Sequence, residues 1–152
     1  MNVAPSVSLE QAVQQHFGVP PQDAAAVLAL LEPVVCRGGD WLFRQGDPGD
    51  ALYLLARGRL QVWMTPTDAE DGARARQVAE VEPGELVGEI GVLTGGPRSA
   101  GIRALRSSLL LRMDAAALAR LGRERPEAML RIAGAIATRL RDRTGGAPAS
   151  PR

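Results

Sequence analysis

The chain has 152 residues, enough for one domain with a proper core and too few for two well-built ones. Its 18 basic and 17 acidic residues leave a net charge of +1, so no field exists to hold a polyanion such as DNA, and nucleic acid is not an expected partner. Every basic residue is arginine, and aromatics make up only 3% against a hydrophobic content of 45%, so the core must rest on Leu, Val, Ile and Ala.

Residues 1–7 read as a flexible terminus. Ser8-Leu9-Glu10-Gln11 is then a capping box that starts a short helix, which Gly18 can end. After Pro20 and Pro21, Asp23 is the expected N-cap of a second helix over 24–31, stopped by Pro33. From Val34 the punctuation changes to short apolar runs separated by Gly, Pro and Asp, at hairpin intervals. Strands are expected over 34–37, 41–43, 52–55 and 60–64, with turns at Gly38-Gly39, 46–50 and Arg57-Gly58-Arg59. In the second turn, Gly46 and Gly49 are expected to supply positive φ angles, while Asp47 or Asp50 caps its own turn. An acidic hairpin tip at 68–72 precedes a half-buried strand over 74–81. After residue 100, strands over 102–105 and 109–113 follow, and Asp114 caps an Ala-rich helix that Gly122 ends. The last helix begins near Pro126; Met129, Ile132, Ala133, Ile136 and Leu140 form its apolar stripe, with Arg139 and Arg143 on one shoulder. Residues 144–152 have linker composition and are expected to lead toward something further.

The stretch from Pro83 to Ala104 organises the rest. Leu86-Val87 is a short apolar run that stops at Gly88; one turn of helix follows from Glu89, then a Thr94-Gly95-Gly96 corner, and Pro97-Arg98-Ser99-Ala100 leads back into a strand. This is the layout of an anion cradle. Gly88 permits close backbone approach, the first N–H groups of the helical turn (Glu89, Ile90, Gly91) point outward, and Arg98 offers a permanently charged fork suited to phosphate oxygens. A carboxylate at Glu89 repels a plain phosphate; it suits a ligand that carries a hydroxyl donor near its phosphate, as a ribose 2′-OH does. The bland alternative is a Gly-rich hairpin in which Glu89 and Arg98 merely pair with each other.

On these residues, G-E-I-G-V-L-T-G-G-P-R-S-A resembles the phosphate-binding cassette of the cyclic nucleotide-binding domain family. The run W-L-F-R-Q-G-D-P-G-D-A-L-Y-L-L-A-R-G resembles the segment that shapes the front of that family's β-roll. The resemblance implies an α+β fold: an antiparallel, jelly-roll-like β-roll of about eight strands, with N-terminal helices, a short cassette helix and a C-terminal lid helix. It implies one domain over 8–143 that binds a cyclic purine mononucleotide, cAMP first and cGMP second, with no other cofactor. Glu89 would hold the ribose hydroxyl, Arg98 the exocyclic phosphate oxygens, and Ser99 would donate to the phosphate. Val87, Gly88, Ile90, Gly91 and Ala100 would complete the site, and Arg139 or Arg143 would stack on the base as a lid. Val87 and Gly91 depart from the commoner family residues, which are aromatic or Leu and Ala or Ser. Arg103, in the strand after the cassette, is expected to serve the fold.

Other chemistries find little support. His16 is the sole histidine, so neither a His-based triad nor a multi-histidine metal centre can be assembled, and no P-loop lysine exists. The expectation is therefore no metal and no enzymatic activity. Cys36, the sole cysteine, cannot form an internal disulfide and reads as a small core hydrophobe in a reducing cytoplasm. No signal peptide is visible and no apolar run approaches the roughly 20 residues of a spanning helix. Expected partners are the cyclic nucleotide, an effector domain, linked or separate, as in bacterial patatin-like phospholipases, and a second copy of the chain along the final helix. The alternative function is a β-roll that binds no ligand and serves docking or oligomerisation.

Overall fold

A computed structural model describes residues 8–66 and 74–145, without the side chains of 143–145. The acidic tip at 68–72, the terminus 1–7, the tail from 146 onward and the side chain of Arg143 lie outside the described residues.

Helix α1 (Leu9–Phe17) begins with the expected box: the Ser8 hydroxyl accepts from the Gln11 N–H at 3.2 Å, and the Gln11 side chain accepts from the Ser8 N–H at 3.0 Å. Gly18 closes it in the left-handed region at φ 67°. Helix α2 (Pro21–Ala29) starts earlier than Asp23 suggests, because Pro21 occupies the first helical position, where its fixed φ and missing N–H cost nothing. Asp23 instead lies inside the first turn and pairs with Arg125 at 2.9 Å, between α2 and the junction of the last two helices.

The sheet comprises β1 (Glu32–Cys36), β2 (Trp41–Phe43), β3 (Ala51–Met64), β4 (Arg76–Val81), β5 (Leu86–Val87) and β6 (Gly101–Asp114). Its order is β1-β6-β3-β4, all antiparallel, with β2 paired to β6 and β5 to β3. The expected β-roll is present, but its runs join. The 52–55 and 60–64 runs are one strand, β3, and the 102–105 and 109–113 runs are one strand, β6. Arg57-Gly58-Arg59 is therefore not a hairpin turn. It is an irregularity within β3, where the register against β6 shifts, Gly58 adopts φ 105° and the Ser108 hydroxyl accepts from the Arg59 N–H at 3.2 Å.

Strand alternation divides the core in two. Leu52 and Leu54 of β3, Leu86 of β5, and Leu111 and Met113 of β6 face a helical layer that includes Val13, Phe17, Val27, Leu121, Ile132 and Ile136. Ala51, Tyr53, Leu55, Val87, Ile102, Ala104 and Leu110 face the interior of the roll, together with Leu60, Val81 and Cys36. Helix α3 (Glu89–Thr94) follows β5 directly. Helix α4 (Ala115–Glu124) is capped by Asp114, whose carboxylate accepts from the Ala117 N–H at 2.7 Å; it runs through Gly122, which is an interior residue and not a stop. Helix α5 (Pro126–Gly145) begins at Pro126 as expected and carries helical backbone to 145, so Thr144 and Gly145 belong to the helix and not to a linker. Ile132 and Ile136 of its stripe are buried, with Met129 and Leu140 packed at the margin. Among the described residues, no helix is long and apolar enough to cross a membrane.

Candidate functional site

The site is built around Arg98. Its peptide is clamped by the loop after β2: the Gly46 N–H donates to the Arg98 carbonyl at 2.9 Å, and the Arg98 N–H donates to the Asp47 carbonyl at 2.8 Å. Asp47 in turn accepts from the Arg44 N–H at 2.9 Å, as an acid capping its own turn does. From that clamp the Arg98 side chain runs inward and is only 4% exposed. One terminal nitrogen, Nη1, donates to the Ala51 carbonyl at 2.7 Å and the Gly88 carbonyl at 3.0 Å; the other, Nη2, lies 3.5 Å from Asp50. The guanidinium stands over the Phe43 ring at 4.0 Å from its centroid. Burial pushes its pKa below the usual arginine value, with the Arg112 charge adding to the effect and Tyr53, Asp50 and Asp47 opposing it; an arginine stays charged throughout. The Nε atom of this buried cation has no hydrogen-bond partner among the described residues.

Gly88 exists for this arginine. It adopts φ 79°, and a Cβ there would collide with Arg98 Nη1, so the guanidinium occupies space that a side chain would fill. Gly49 differs from expectation: it has no positive φ, unlike Gly46 at 89°. A Cβ on Gly49 would lie 2.6 Å from both the Gly91 Cα and the Gly96 carbonyl, so two backbones touch where Gly49 crosses α3. The same contact accounts for Gly91, where a Cβ would lie 2.9 Å from Gly49 Cα.

A cavity of about 80 Å³ opens beside the guanidinium, lined by Val87, Gly88, Glu89, Ile90, Gly91, Arg98, Ser99 and Ala100, which are the eight cassette residues that the sequence singles out. Phe43, Val62 and Ile102 complete the lining and are not identifiable from spacing. Glu89, at the first position of α3, is 4% exposed, whereas Ile90 and Ser99 are exposed. Of the two acids offered as turn caps, Asp47 is the one that caps; Asp50 bridges to Arg98 and to Arg112, the latter at 3.6 Å. Arg103 donates to the Gly39 carbonyl at 2.9 Å and lies over Trp41, as a residue serving the fold would.

Arg139 is not among the residues that line this cavity. Its position three residues after buried Ile136 turns it toward α1, where it donates to the Gly84 carbonyl and lines a larger groove of about 660 Å³ with Gln15, His16, Glu85, Thr138 and Asp142.

The family model for the cyclic nucleotide-binding domain matches residues 33–125. The cyclic AMP receptor protein of Thermus thermophilus is 33% identical over 125 residues, which span 82% of this chain and 56% of that protein. Lysophospholipase nte1 of Aspergillus terreus is 34% identical over 112 residues, 74% of this chain but only 7% of that protein. The chain therefore spans about half the length of one relative and a small fraction of the other. Among solved structures, the N-terminal domain of a transcriptional regulator from Streptomyces coelicolor superposes with a TM-score of 0.71 at 31% identity, covering 94% of this chain and 98% of that one. The fold, the cassette around Arg98 and these matches agree: the chain belongs to the cyclic nucleotide-binding domain family.

Proposed function

We propose that this domain senses a cyclic purine mononucleotide, cAMP in the first place, and reports it through α5. The observation that carries the reading is the Arg98 guanidinium, buried beside the cassette cavity with its Nε–H unmet. A buried unsatisfied donor on a permanent cation calls for an anion. Arg98 would take the exocyclic phosphate oxygens with Ser99 assisting, and the opening turn of α3 would face the same charge. Glu89, buried on the same wall, would accept the ribose 2′-OH. The half-open cavity is small beside the roughly 300–1,000 Å³ of ordinary ligand pockets, so it suits the compact sugar and phosphate, with the base extending outward. Drawing the cassette toward the phosphate would let α5 repack, and only as far as the ligand's differential affinity for the two arrangements drives it.

A soluble cytoplasmic setting and an output domain, linked or separate, complete the reading; that this chain spans only part of the relatives' length supports an output domain. The second reading, a β-roll that binds nothing and serves docking, is favoured by one feature: Arg98 already satisfies Ala51 and Gly88, which gives it a structural role without ligand. Titration calorimetry and a thermal-shift screen with cAMP, cGMP and cyclic dinucleotides separate the two. Saturable cAMP binding with a rise in Tm is expected, and no response to any of these ligands would leave the scaffold reading standing.

A further inference from the structure

Two left-handed glycines bracket β5. Gly84, at φ 94°, precedes it and Gly88, at φ 79°, follows it. The carbonyl of each accepts from an arginine that comes from elsewhere in the chain: Gly88 from Arg98, at 3.0 Å, and Gly84 from Arg139 of α5. The segment between them is held straight against β3. The Gly84 N–H donates to the Leu55 carbonyl at 2.8 Å, the Leu55 N–H donates to the Glu85 carbonyl at 3.0 Å, and Leu86 and Val87 pair with Leu54 and Tyr53. Gly84 is buried, and the His16 ring of α1 occupies the space that a side chain on it would need. Its carbonyl accepts from Arg139 of α5, and the turn packs directly against the His16 ring of α1.

We propose that residues 84–88 form a strut between the ligand site and α5, and that Arg139 is its positioning residue on the α5 side. An anion that draws on the Arg98 guanidinium changes what holds the Gly88 end. A short, paired strand passes that displacement to the Gly84 end, and the Arg139 contact there delivers it to the helix. This assigns Arg139 to signal transfer and not to capping the base. The inference rests on the sensor reading for its signal, but the mechanical link exists with or without ligand, so the two fail separately.

The test uses the full chain with Arg139→Ala, Arg139→Lys and, as a control on the same helix, the exposed Arg131→Ala. Amide hydrogen exchange without ligand is measured first. Arg139→Ala is expected to speed exchange at Gly84 and across 86–88 by about tenfold or more, together with 135–142, whereas Arg131→Ala leaves 84–88 unchanged. Faster exchange confined to α5 would overturn the strut. The second measurement follows the Ile132 and Ile136 methyl signals on adding cAMP. Arg139→Ala is expected to bind, as calorimetry verifies, and to lose most of the methyl shift, with Arg139→Lys restoring part of it. A methyl response equal to wild type in Arg139→Ala would overturn the proposal. Absence of any cAMP binding in wild type would sink the sensor reading and leave the exchange result to decide the strut.

Discussion

The cassette cavity and the groove between α1 and α5 differ in almost every property. The cassette cavity is about 80 Å³, lined by β2, β3, β5, α3 and the start of β6, and its wall carries a buried arginine and a buried glutamate. The groove is several times larger, at about 660 Å³, and its residues include two acids, an arginine, a histidine, a glutamine and a threonine spread over an open wall. Size would point to the groove. Charge taken out of water points to the cassette, because burying a guanidinium is costly unless the surroundings or a ligand compensate it. The groove's arginine instead reaches a backbone carbonyl, on a turn against which the His16 ring also packs.

The contrast breaks first at Arg98. Arg98→Leu is expected to lower cAMP affinity by about 2–5 kcal/mol, roughly 30-fold to several thousand-fold, since it removes a desolvated charged partner; calorimetry showing unchanged affinity would end the assignment. Glu89→Ala is expected to cost about 1–3 kcal/mol in binding and to narrow the preference for cAMP over its 2′-deoxy analogue. Equal discrimination by variant and wild type would remove Glu89 from the ribose.

Stability sharpens the same contrast. Gly49→Ala places a methyl 2.6 Å from backbone atoms of α3 and of the corner after it, and is expected to destabilise by about 1–3 kcal/mol in denaturant titrations. Gly122→Ala, in the last turn of α4, meets nothing closer than Met129 Cγ at 3.8 Å, so helix propensity decides and a gain of up to about 1 kcal/mol is expected.

The smallest effect lies in the groove. Burial first, and the Arg139 charge second, hold the His16 pKa below its ordinary value of about 6.5. The folded state therefore binds this proton less well than the unfolded chain. The contribution of neutral His16 is fully present above the unfolded pKa and is lost as pH falls through it toward the lower folded value. Melting curves between about pH 7 and about pH 5 should accordingly show a shallower acid-side loss of Tm in His16→Gln than in wild type. Identical slopes would show that His16 contributes nothing to the acid response.

Much of this was legible in advance. Capping at Ser8 and Asp114 and the start of α5 at Pro126 are local matters, set by side chains within a few positions of the backbone they serve; the cassette residues 87–91 and 98–100 do line one cavity, but the clamp on Arg98 comes from the distant loop at Gly46 and Asp47. Some misplacements were local, such as the start of α2 at Pro21 and the passage of α4 through Gly122; others came where two distant segments meet. Gly49 reads as a turn glycine until α3 is seen lying across it, and Asp47 and Asp50 read as equal candidates for the turn cap until Arg98 and Arg112 arrive from far along the chain to engage Asp50.

The inward face of β3 shows the division most plainly. Before Gly58 the interior residues are Ala51, Tyr53 and Leu55; beyond it they are Leu60 and, beside the cavity, Val62, so the parity of the pleat changes within one strand. Alternation in sequence establishes that a strand exists, because successive side chains must point to opposite faces. It cannot establish which face is inward past a bulge, since that depends on the register of β6, whose Ser108 sits where Gly58 leaves room. From sequence alone came the roll, its caps and a charged cassette. Only the tertiary structure placed Phe43, Val62 and Ile102 around that cassette and turned Arg139 away from it, because side-chain direction there is decided by packing between segments that are remote in the chain.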